Sequence, residues 1–183
     1  MEKKKLQKLH KDVFLMMESL RAKVPGFYYG LRVKKDKRLC DGYIFHGNEN
    51  YVSVPLALKG NSKSKTSAVW LCFQEDDKGN VVSALKIYPV EMTSRLEKKS
   101  LRMLCDLFQT MQRENTKEER YVVAVPQCNN DVIKSTTKFL ESFLAGIYKA
   151  LQAGGKSMVY DYDLFVQGAK NHIMVGTIKL TLA

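Results

Sequence analysis

Leu6, Leu9, Val13, Phe14, Met17 and Leu20 recur at three- and four-residue intervals, the period that lines one side of an α-helix. The spacing predicts a helix over residues 4–23, stopped by Pro25-Gly26, with Lys4, Lys8 and Lys11 on its polar side and His10 at the edge of that basic surface. Such a stripe is expected to dock inside the molecule. From Phe27 to Tyr88 the period shortens towards two. Strands are predicted over 27–33, 42–46, 51–58, 68–74 and 81–88, the last two joined by a hairpin turn at Asp76-Asp77-Lys78-Gly79-Asn80. Within the fourth, Trp70 is expected to pack in the core. Between the third and fourth, Lys59 to Thr66 has no apolar period and reads as an exposed, mobile basic loop.

Helical spacing returns in Leu96, Leu101, Leu104, Cys105, Phe108 and Met111, predicting a second helix over 92–114. Tyr121 to Val125 reads as a strand that Pro126 stops. Ile133, Thr137, Leu140, Leu144, Ile147 and Leu151 then mark a third helix over 130–153, closed by Gly154-Gly155. Strands near 158–166 and 172–182, with a turn around Gly168 and Lys170-Asn171, suggest a terminal hairpin. The order of elements fits an α+β fold, a curved, antiparallel-rich mixed sheet packed with about three helices, better than a regular βαβ alternation. No repeat or linker divides the chain, so residues 1–183 read as a single compact domain, whole in itself or a module of a larger protein.

Composition sharpens this picture in three ways. At 45% hydrophobic residues, the chain has enough apolar material for a core and too much for a disordered protein. Cys40, Cys72, Cys105 and Cys128 are too scattered for a metal-binding pair and read as buried free thiols; with no apolar signal core at the amino end, an intracellular, cytoplasmic setting is expected. The apolar runs fall short of the roughly 20 residues that span a bilayer, so no integral membrane association is expected.

Charge is distributed unevenly. Residues 1–65 carry 15 Lys and Arg against 6 Asp and Glu, whereas residues 66–183 carry 15 against 13. A concentrated positive surface attracts polyanions. Arg32, Lys34, Lys35, Lys37 and Arg38 form its densest run, and Lys59, Lys63 and Lys65 could extend it. Guanidinium groups supply directed hydrogen bonds to phosphate. Phe27, Tyr28, Tyr29 and His46 are the candidate base contacts beside that run.

Catalytic signals are weak by comparison. Gly154-Gly155-Lys156-Ser157 lacks the glycine that opens a phosphate loop and follows a helix instead of a strand. His10, His46 and His172 are dispersed. His46, near Asp41 and Glu49, could act as a base only with a geometry that proximity in sequence does not supply. Glu75-Asp76-Asp77 reads as a solvated turn, and Asp161 with Asp163 as carboxylates on one face of an edge strand. No catalytic residue, metal site or cofactor is assigned. The sequence therefore points to nucleic-acid binding, DNA ahead of RNA, by a module that could serve a larger catalytic or motor protein. A protein-interaction or assembly module is the alternative, ahead of an enzyme acting on a phosphate-containing substrate.

Overall fold

The first apolar repeat forms α1 (Lys3–Lys23), and each of the six residues that define the stripe is buried. The structure, a computed structural model, describes residues 1–23, 27–32, 43–59, 69–88, 98–115, 119–128 and 130–153, of which 27–28, 57–59, 115 and 119 by their backbone alone, with the backbone alone of 159–160, 174–175 and 178–179. The other helices among these residues are α2 (Lys98–Leu107) and α3 (Val132–Ala153). The strands are β1 (Phe27–Tyr29), β2 (His46–Asn48), β3 (Tyr51–Lys59), β4 (Val69–Glu75), β5 (Val81–Ile87), β6 (Gln112–Asn115), β7 (Glu119–Ala124), β8 (Val159–Tyr160), β9 (Met174–Val175) and β10 (Ile178–Lys179).

Eight strands form one mixed sheet in the order β1-β3-β4-β5-β7-β6, with β2 and β8 also paired to β3. All pairings are antiparallel except β3 with β8. The α+β class predicted from the sequence is thus the observed one. Alternation sends Val52, Val54 and Leu56 of β3, Val69, Leu71 and Phe73 of β4, Leu85 and Ile87 of β5 and Val123 of β7 to one side, where they meet the apolar faces of the three helices. Each of these nine side chains is at most 1% exposed. A hydroxyl pair crosses the same interface: Ser83 Oγ and Thr136 Oγ1 lie 2.7 Å apart, and Thr136 also donates to the Val132 carbonyl. Ser83 is then the donor to Thr136, since a hydroxyl carries one hydrogen.

The β4–β5 hairpin turns as its sequence predicts. Asp76 Oδ1 accepts from the backbone N–H groups of Lys78 and Asn80, at 2.9 and 2.8 Å, and Gly79 takes the positive φ of 79° that the tight turn requires. Glu75 beside it is held by Lys5 at 2.7 Å and by the Met1 amino group at 3.2 Å, so the acidic cluster serves as turn and ion-pair surface. In the β2–β3 hairpin, Gly47 has a φ of 141°, and a Cβ there would lie 2.0 Å from the Tyr51 carbonyl oxygen. Only glycine fits that crossing.

Several expectations are corrected. The second helix ends at Leu107, and residues 112–115 leave the helical pattern to pair with β7, because a hairpin ladder satisfies their backbone groups on the sheet edge. In α3 the buried stripe runs through Ser135 and Thr136 instead of Thr137. At the carboxyl end β8 pairs in parallel with β3, and β9 pairs with β10 inside the span expected as one strand over 172–182; the rest of the expected hairpin between 158–166 and 172–182, with its turn at 168–171, lies outside the described residues. Cys72 is buried as expected of a free thiol, but Cys105 and Cys128 are exposed.

His10 departs furthest from its expected place. Instead of edging the basic surface of α1 it is 1% exposed, stacked on Phe45 and met edge-on by Tyr43, and its Nδ1 accepts the Phe45 backbone N–H at 3.2 Å. The imidazole proton must then sit on Nε2, which has no hydrogen-bond partner among the described residues. Burial, aided by the nearby Arg32 charge, lowers the His10 pKa to about 4.

Candidate functional site

The alternation that fills the core leaves the other phase of each strand facing away from the helices. On β3 these residues are Tyr51, Ser53 and Pro55; on β4, Trp70, Cys72 and Gln74; on β5, Val82, Ala84 and Lys86; on β7, Arg120 and Val122. Register then decides which of them meet. Pro55 pairs with Trp70, Trp70 with Lys86 and Lys86 with Val122, while Ser53 pairs with Cys72 and Cys72 with Ala84. His46, opposite Ser53 on β2, joins the same face.

These side chains enclose a groove of about 340 Å³. Ser53 and Cys72 form its floor, both buried, with Oγ and Sγ 3.1 Å apart. One wall is aromatic. His46 and Trp70 stand 5.5 Å apart at 80°, and Tyr51, 38% exposed, borders them. The opposite wall is cationic, built from Lys86 and Arg120 with Tyr88. Past Lys86 and Arg120 the depression continues into a smaller pocket of about 80 Å³ bounded by Gln74, Val82 and Glu114.

The electrostatics favour binding an anion over generating a nucleophile. Burial pushes the Cys72 thiol up, and the opposing pull of Lys86, Ser53 and Arg120 does not overcome it, so the thiol stays protonated. Burial foremost, then the Arg32 charge, pulls His46 below the usual imidazole range, so at neutral pH it is an uncharged ring. Burial works against the Arg120 charge, but its hydrogen bonds to Glu114, at 2.8 Å from Nε, and to Tyr88 outweigh that and raise its pKa. Arg120 is therefore a cation fixed in place. Lys86 makes no hydrogen bond or ion pair among the described residues, and no group of three or more metal-ligating side chains occurs among them.

The sequence-predicted contacts fall around this groove unevenly. Arg32 sits at its margin, its backbone N–H bonded to the Ile44 carbonyl at 2.8 Å and its Nη1 to the Gly47 carbonyl at 3.3 Å. His46 lines the aromatic wall. Tyr29 is not a base contact in this fold: it is 0% exposed, packed against Phe14 and Phe45, and its hydroxyl donates to Glu18. Phe27 and Tyr28 belong to β1, paired with Leu58 and Ala57, and Lys59 closes β3. Lys34, Lys35, Lys37, Arg38, Lys63 and Lys65 lie outside the described residues.

Sequence reasoning passes over Tyr51, Trp70, Lys86, Tyr88 and Arg120. Trp70, expected in the core, is only half-buried, because it falls out of phase with Val69, Leu71 and Phe73. That phase is the signal by which it could have been found. Among the described residues no helix is long and apolar enough to cross a membrane. No protein-family model, curated protein or solved structure matches the chain, so the case for its function rests on the chemistry of this face.

Proposed function

We propose that the protein binds nucleic acid on the face of its sheet turned away from α1, α2 and α3, with the basic N-terminal third supplying phosphate attraction. The observation that carries this reading is the groove itself: Arg120, a cation fixed by Glu114 and Tyr88, and Lys86, which has no partner among the described residues, face an aromatic wall, and Arg32 begins the basic run at its margin. Phosphate recognition needs the first component and base contact the second. Arg32, Lys34, Lys35, Lys37 and Arg38, with Lys59, Lys63 and Lys65, supply the positive charge that attracts the polyanion. In a larger assembly the same face would hold a catalytic or motor protein on its strand.

Fluorescence anisotropy with labelled single-stranded DNA, duplex DNA and RNA of equal length tests the reading. Binding should weaken as salt rises, and replacing three of the five cations of the Arg32 to Arg38 run by Glu should reduce the salt slope, by about 0.7 to 0.9 for each phosphate that is no longer neutralised. DNA is expected to bind ahead of RNA. Absence of binding to all three ligands at low salt would reject the function.

A further inference from the structure

We propose that the groove seats one unpaired nucleoside monophosphate unit, its base in the corner formed by Trp70 and His46 and its phosphate on Lys86 and Arg120. The inference rests on the nucleic-acid reading and adds a ligand class to it: single-stranded or frayed nucleic acid in preference to intact duplex.

Three observations lead there. Trp70 and Lys86 are direct cross-strand partners, which places an indole and an ammonium on the same face with Cβ atoms about 5 Å apart. A ligand spanning them needs a planar ring joined closely to an anion. Secondly, the two rings of the corner are nearly perpendicular, so a base lying along one is bounded by the other. His46 is neutral there and acts as a wall; it does not compete for the phosphate. Thirdly, a volume of about 340 Å³ lies at the lower end of the range for small-molecule sites, about 300–1,000 Å³, which suits a single nucleotide.

The polar groups complete the fit. Arg120 is already oriented by Glu114 and Tyr88, so a phosphate meets a guanidinium that loses little freedom on binding. Ser53 Oγ and Cys72 Sγ on the floor offer hydrogen-bonding atoms to a base edge. In an intact duplex both faces of a base are stacked and its pairing edge is used, so a ring corner cannot be reached without unstacking. An unpaired nucleotide has that surface available.

Trp70 is the chain's one tryptophan, so its emission reports the groove directly. The full chain is titrated with a nucleoside 5′-monophosphate, the matching nucleoside, inorganic phosphate, a short single strand and a blunt duplex of the same sequence. Saturable quenching is expected from the monophosphate and the single strand, with at least about tenfold weaker apparent affinity for nucleoside, phosphate and duplex. Lys86→Glu should weaken the single strand about ten- to a hundredfold while circular dichroism stays unchanged. Trp70→Ala, followed by anisotropy, should do the same for the single strand and leave duplex binding intact.

The outcomes separate the two claims. Strand binding by anisotropy without any change in Trp70 emission, or unaffected by Lys86→Glu, overturns the seat and leaves the nucleic-acid reading standing. Quenching by free monophosphate with no binding of any strand upholds the seat, assigns it to a free nucleotide and rejects the nucleic-acid reading. Duplex that binds and quenches as well as single strand overturns the preference for unpaired nucleotides.

Discussion

The two faces of the central sheet are written in the same strands, one residue out of phase, and do opposite things. On the helix side, Val69, Leu71 and Phe73 of β4 are each 0% exposed and belong to the one core cluster that also holds the buried apolar residues of α1, α2 and α3. On the other side, Trp70, Cys72 and Gln74 of that strand face a groove with polar groups and cations that no core would accept. Stability and recognition are therefore carried by alternating residues. A substitution should affect mainly the face it belongs to.

The largest effect is expected from the covered face. Phe73→Ala removes a fully buried ring with little prospect of collapse between a sheet and helices, and should cost about 3–5 kcal/mol. A urea midpoint far below the parent's, with a fall in melting temperature on the order of 10 °C, is the expected reading. Trp70→Ala, three residues away on the opposite face of the same strand and half-buried, should cost clearly less. Equal losses would break the division between the faces.

Acid is the next lever, and it acts on the covered face through His10. Its folded pKa of about 4 lies below the unfolded value near 6.5, so the unfolded chain binds the extra proton first. Its neutral form supports the fold fully above about pH 6.5. That support shrinks as pH falls towards 4, by about 3 kcal/mol in total, and levels off below. Protonation places a hydrogen on Nδ1 against the Phe45 N–H, so the bond that ties α1 to the approach of β2 is lost. Denaturation at pH 7, 5.5 and 4.5 should show this decline, and His10→Phe should flatten part of it. His46, also lowered, contributes in the same direction, so the flattening is incomplete. A His10→Phe protein with the parent's full pH slope would show that the proton goes elsewhere.

A smaller effect is expected where the covered face is polar. Thr136→Val leaves the Ser83 hydroxyl without its acceptor in a buried interface, at a cost of about 1–3 kcal/mol. Ser83→Ala should cost less, because Thr136 keeps its bond to the Val132 carbonyl. Measured by urea denaturation, the reverse order would mean that the two hydroxyls donate in the opposite sense.

How much of this was legible in the sequence depends on the reach of each signal. The long strands and the β4–β5 turn were readable, because alternation and the Asp76 and Gly79 chemistry act within a few residues. The burial of His10 was missed, because a histidine reads as polar, although its place four residues from both Leu6 and Phe14 sets it on the apolar stripe. Met111 extended the second helix misleadingly: it keeps the helical period, yet the ladder between β6 and β7 claims the residues after it. Strands of two or three residues, such as β2 and β8, are too short to show a period. The groove was least visible. The meeting of Trp70 with Lys86, and of His46 with Ser53, is set by register between strands, which no local pattern in the chain specifies.

The smallest expected change in stability gives the sharpest test of the comparison. Lys86 projects from the middle of β5, between Leu85 and Ile87, both 0% exposed, yet its own ammonium makes no hydrogen bond or ion pair among the described residues. Lys86→Gln keeps a long polar side chain on a half-buried strand position and removes only the charge. With no partner lost and no cavity made, its stability should stay within about 0.5 kcal/mol of the parent. The nearby Cys72 thiol should respond to the lost positive charge by rising further, seen as slower alkylation at alkaline pH. Single-strand affinity should fall at the same time. A Lys86→Gln protein that is strongly destabilised would place this side chain with the core in function, and the separation of the two faces would fail at the residue where it is most exposed to test.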